Sequence, residues 1–272
     1  SPLYSPAVIS ATVQPLSTAQ GPQPTSLGSP NTSIISTSYP RAHAPLIFAF
    51  LLLIWALTFL AEFGLLVLAM GRLDYWDGLE YLVSESHAAL AAGAGLLATC
   101  GVLALNGCDG ASSRSRYTLR RLRVDERTLT LCWGGHNALC LLVFWGAQAA
   151  WALFLCRFAM AHAAQTPFNA MSLFLAFFRN GFLHSLLPLQ EYSRAIRNGI
   201  FLLCLGLTAA CFSYQQRHGR RGFAILPLSV LTVVSFSQGF AMAETDIALS
   251  AVALFTAAGA VWNVWRCYED EA

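Results

Sequence analysis

Residues 45–70 read PLIFAFLLLIWALTFLAEFGLLVLAM, a nearly unbroken apolar run. About 20 residues of α-helix cross the hydrocarbon core of a bilayer, so this run is long enough to span one. Further apolar stretches follow at 87–106, 130–160, 168–188, 197–213, 222–242 and 245–265. The whole chain agrees with them: 56% of its 272 residues are hydrophobic, 11% are charged, and the mean hydropathy is +0.54. An average soluble domain carries about 25% charged residues. The expected fold class is all-α, a polytopic membrane protein of about five to seven helices, the last two long and tilted as a hairpin.

Seven apolar stretches do not require seven crossings. Asn180 and His184 lie centrally in one of them and Glu244 and Asp246 in the last part of the chain, where facing lipid would be expensive. If 130–160 crosses once and 168–213 crosses once as one long broken helix, two basic stretches fall on the same side. These are Arg114–Arg127, with six Arg, and Arg217–Arg221, with three. They would mark one face of the membrane under the positive-inside bias.

Composition excludes several chemistries. All 16 basic residues are Arg and Lys is absent, which removes Schiff-base cofactors and a P-loop lysine. A net charge of +2 is too small for a nucleic-acid surface. The eight Cys lie mostly within or beside apolar runs with no CxxC. They read as small buried side chains, and neither a metal site nor another cofactor is expected.

Residues 1–44 are rich in Ser, Thr and Pro, with Arg41 as their only charge. Such a segment cannot bury a core and is expected to be extended. It is either a disordered tail of the isolated chain or an arm along neighbouring subunits, and it lacks the pattern of a targeting presequence. The expected organisation is an arm over 1–44, N-terminal membrane helices and a basic loop over 45–129, and a helical core over 130–272.

Taken as one helix, 179–198 carries a polar stripe. At about 100° per residue, Asn180, His184, Glu191, Arg194 and Asn198 fall within about 40° of one line, while Arg179, Gln190 and Arg197 share a second. Pro188 is expected to bend this helix. The charges either snorkel and pair locally, as Glu191 and Arg194 can at a spacing of three, or face an aqueous path. Further on, Thr232, Ser235, Asp246 and Ser250 share a face with Glu244 nearly opposite. These two acids either sit at a solvated helix end or line a path for protons.

These residues resemble the a subunit of F-type ATP synthases, the membrane stator against which the c-ring turns. The similarity rests on Ala161, His162, Thr166 and Pro167, the apolar helix 169–187, Pro188, Arg194 and Asn198. Asn137 and Trp145 upstream, and Glu244, Ile247, Ala248, Leu249, Leu254, Phe255 and Thr256 downstream, extend it over about half of the chain. Phe201 and Leu202 stand near the usual Gly-His, Ala251 where a Gln is common, and Asn180 where an acid is common. The resemblance implies that Arg194 is the essential Arg separating two proton half-channels. It implies a proton path through His162, His184, Glu191, Asn198, Gln238, Glu244 and Asp246. It also implies a c-ring, peripheral-stalk and other membrane subunits and lipids as partners, in the mitochondrial inner membrane. Arg suits the central role because its pKa stays above about 12 even when desolvated.

Two other classes stay open. A haem-binding electron carrier would draw on His87, His136, His162 and His184. A scaffold subunit of a respiratory complex, similar to oxidase subunit III, would be equally apolar and would not need Arg194.

Overall fold

The computed structural model describes residues 43–72, 78–106, 125–162, 170–188, 191–220, 222–237 and 243–271. Among these residues all regular structure is helical: α1 (His43–Arg72), α2 (Leu79–Glu85), α3 (Ala88–Leu105), α4 (Glu126–His162), α5 (Ala170–Arg179), α6 (Gly181–Leu186), α7 (Tyr192–Arg217), α8 (Ile225–Ser237) and α9 (Ala243–Glu271). Five of them, over Ile47–Arg72, Ala88–Leu105, Glu126–His162, Tyr192–Arg217 and Ala243–Cys267, are long and apolar enough to cross a membrane. The architecture is that of an all-α polytopic membrane protein. Leu60, Leu142, Leu203 and Phe255 are exposed on the outer faces of these helices, as suits surfaces solvated by lipid.

Helix directions follow from the packing. A Cβ on Gly95 would strike Thr58, and Leu51 shares a cluster with Leu96 and Leu103, so α1 and α3 are antiparallel. Helix α4 runs with α1: the rings of Trp55 and Phe144 lie 5.5 Å apart, those of Phe63 and Phe158 5.1 Å apart. Helix α7 returns against α4, because Asn137 Nδ2 donates to Gly206 O at 3.5 Å while His218, just past α7, meets Glu126 at 3.8 Å. The backbones approach closely at that crossing. A Cβ on Gly206 would come within 2.6 Å of the Ala138 Cα, which explains a Gly in the middle of a membrane helix.

The last part of the chain departs from the expected hairpin. The stretch 168–213 is divided into α5, α6 and α7, and 222–266 into α8 and α9. Helices α7 and α9 run parallel, with Arg197 against Asp246 near their starts and Cys211 and Tyr214 clustered with Ala260 and Val264 near their ends. The return path is α8, whose Ile225 packs with Ala104 and Ala209 and whose Val233 lies against Gly93. Its length allows this, since a helix of 13 residues rises about 20 Å. Helix α9 buries one stripe, including Asp246, Ala253, Ala257, Ala260 and Val264, and so lies at the edge of the bundle.

One end of the bundle gathers Arg127, Arg217 and Arg220, the described part of the two basic stretches. Arg114–Arg123, Arg221 and residues 1–42 lie outside the described residues. The segments before and after residue 129 share cores, as Leu51 and Leu96 do with Phe144 and Leu205. At the opposite end stand α2, α5, α6 and the starts of α7 and α9, and there the charged side chains of the interior collect.

Candidate functional site: a charged cluster at the start of α7

Local sequence breaks the chain twice just before the cluster. Asn180 adopts an extended conformation (φ −81, ψ 118), and its side chain accepts from Phe182 N and Leu183 N, an N-cap that starts α6. Its Nδ2 donates to Glu80 O at 3.2 Å. Leu187 leaves the helical region (φ −131, ψ 84), as a residue before Pro is disfavoured in the helical conformation. Pro188 therefore ends α6 rather than bending it. Glu191, extended at φ −104 and ψ 90, precedes α7, where a carboxylate interacts favourably with the helix dipole.

The result is a cluster shared by α6, α7 and α9. Glu191 Oε2 accepts from Arg194 Nη2 at 2.9 Å and lies 3.6 Å from His184 Nε2. The Glu191 side chain is 40% exposed, that of Arg194 3%. Arg197 has no exposed surface, and its Nη1 meets Asp246 Oδ1 at 2.6 Å. Its Nη2 also donates to Asn198 Oδ1 at 3.1 Å, and its guanidinium lies 6.0 Å from the Phe201 ring centroid. Asp246 Oδ2 accepts from Ser193 Oγ at 3.3 Å. Asn198 Nδ2 donates to Ser185 O at 2.7 Å, tying α7 to α6. Two arginines thus face two carboxylates. Buried ions of this kind persist only when each is paired and hydrogen-bonded.

Several sequence expectations change. Arg197, assigned to a separate line on the wheel, belongs to the cluster, because the chain breaks before α7 and Asp246 arrives from another helix. Asp246 is a buried counter-ion, whereas Glu244 is exposed in the first turn of α9. Asn180 caps a helix and stands outside the cluster. His162 is exposed at the end of α4, its ring 4.2 Å from that of Phe158. Arg179 pairs with Glu80 at 3.3 Å near the surface. Thr232 and Ser235 are buried on α8, apart from the helix that carries Asp246 and Ser250. Gln190 and Gln238 lie outside the described residues.

The four histidines that a haem would draw on are spread apart. His87 is exposed between α2 and α3, and His136 packs on Phe48 near the basic end. His162 and His184 lie toward the other end against different aromatic rings.

The sequence reading missed one ionisable group. Glu62 is buried within α1 and accepts a hydrogen bond from Gln148 Nε2 on α4. The available signal was a lone acid inside the otherwise apolar run 45–70. No family model, no curated protein and no solved structure matches the chain.

Proposed function

We propose that the chain is the proton-translocating stator subunit of a rotary F-type ATP synthase, seated in the mitochondrial inner membrane. A ring of helical hairpins turns against it, and peripheral-stalk and other membrane subunits surround it. The observation that supports this reading is the difference between its two buried arginines. Arg197 is neutralised inside the chain by Asp246, while Arg194 pairs with Glu191, a carboxylate that reaches the surface. An incoming ring carboxylate competes with Glu191 for Arg194 and stays ionised while it does so. The permanent charge of Arg194 also repels a hydrated proton and keeps the two half-channels apart. His184, 3.6 Å from Glu191, takes or gives a proton on one side of this barrier. Asp246 holds Arg197 in place and so fixes the start of α7 against α9.

Proton pumping driven by ATP hydrolysis, measured in vesicles for Arg194→Gln and Arg197→Gln, tests the reading. Loss of pumping with a passive leak in Arg194→Gln, and partial pumping in Arg197→Gln, is the expected pattern. Retention in both variants removes the stator reading. It leaves a scaffold similar to oxidase subunit III, which the sealed Arg197–Asp246 pair favours.

A further inference from the structure

A second ionisable site lies away from the charged cluster. Glu62 is 1% exposed and sits about 15 Å of helix before Arg72 at the end of α1. Its Oε1 accepts from Gln148 Nε2. A cleft lies against each member of this pair, with Phe182 on the wall of both. One, with about 10 Å³ of room for a water, is bounded by Glu62, Ser86, Cys156 and Phe182. The other, with about 40 Å³ of room for water, is bounded by Gln148, Trp145, Phe182, Phe236 and Ser237. Among the described residues Gln148 Oε1 and Trp145 Nε1 are both buried without a hydrogen-bond partner. An orphaned acceptor and an orphaned donor on the wall of one cleft supply the two polar partners that hold an internal water.

Among the described residues no Arg or His lines the cleft at Glu62. The cleft wall drawn from α2, α3, α4 and α6 adds Cys156 as its other titratable side chain. An ionised carboxylate in that setting would be desolvated with no described cation to balance it, so burial favours the neutral acid. A pair of amides would clamp α1 to α4 as well as an acid and an amide do, without placing an ionisable group in the membrane. What distinguishes the acid is its proton.

The geometry points to Glu62 as a proton-exchange site at the α1–α4 interface, served by water in the cleft beside Gln148. In the exchange step the carboxyl O–H bond breaks and the proton passes to a cleft water, forming hydronium. The carboxylate left behind keeps accepting the Gln148 N–H. The reverse transfer restores the acid, and nothing is oxidised or reduced. The site is separate from Arg194 and Arg197 and stands whether or not the rotary reading does.

Infrared spectroscopy of the full chain in lipid vesicles tests it. The C=O stretch of a protonated carboxyl shifts down when its hydrogen is replaced by deuterium. A band that shifts on transfer to D2O, and that Glu62→Gln removes, is expected. Glu62→Asp moves the same band instead of removing it and so identifies it if Glu62→Gln does not fold. Gln148→Leu is expected to slow the shift. Absence of a protonated-carboxyl band from Glu62, or a band that stays unshifted in D2O, overturns the proposal and leaves a structural clamp. An unchanged exchange rate in Gln148→Leu overturns the assignment of the cleft as the route.

Discussion

Removing Asp246 while leaving Arg197 is the sharpest perturbation of the α7–α9 packing. In Asp246→Ala a guanidinium with no exposed surface keeps Asn198 Oδ1 at 3.1 Å and the Phe201 ring at 6.0 Å, and loses its counter-ion. Breaking one side of a buried ion pair costs about 3–5 kcal/mol. The surviving bond to Asn198 places this case near about 3 kcal/mol. Replacing both partners, as in Arg197→Met with Asp246→Leu, removes the stranded charge and fills both sites with apolar atoms, a change that is often neutral. Ser193 Oγ and Asn198 Oδ1 then each lose a partner, which costs about 1 kcal/mol in all. The double variant is therefore expected to be more stable than Asp246→Ala by about 2 kcal/mol. Denaturant titration of Arg197→Met, Asp246→Leu and the double variant, in one detergent–lipid mixture, closes the cycle. If the double variant loses as much as the two single losses added together, the two side chains are not coupled and the argument fails.

Two further perturbations address the scaffold. Asn180→Ala removes the cap bonds to Phe182 N and Leu183 N, each 3.1 Å, together with the bond to Glu80 O. It should cost about 1–2 kcal/mol and appear as faster amide hydrogen exchange at Phe182 and Leu183. Gly206→Val pushes a side chain into the Ala138 backbone, which cannot yield as a flexible side chain would. A loss of about 1–3 kcal/mol in the same titration is expected, and an unchanged stability would contradict the close crossing of α4 and α7.

The helical membrane architecture was legible because apolar run length alone carries it: 45–70 and 130–160 lie within α1 and α4. The pairing of the last helices was not legible, since helix direction depends on where the chain breaks. Arg194, Glu191, His184 and Asn198 were found because polar residues in an apolar run announce themselves, and the structure brings all four to one region. Asp246 was found for the same reason, but its partner was not, because an ion pair across 49 positions leaves no local pattern. Glu62 escaped notice through its isolation: a single acid has no spacing to read, and its partner Gln148 stands 86 residues away.

The helical wheel grouped His184 with Glu191 for a reason the structure replaces. Seven residues of continuous helix separate two positions by about 10.5 Å along the axis, which is beyond ion-pair reach however well their directions agree. The observed separation of 3.6 Å between His184 Nε2 and Glu191 Oε2 requires the helix to stop between them. Leu187 is non-helical because Pro188 follows it, and Glu191 is extended before α7 begins. The interruption also frees α7 to present Arg194 toward Glu191 and Arg197 toward α9, so that one turn of helix holds two cations with separate counter-ions. Pro188 carries no charge itself, yet it decides that His184, Glu191 and Arg194 form one cluster instead of marks spaced along a rod.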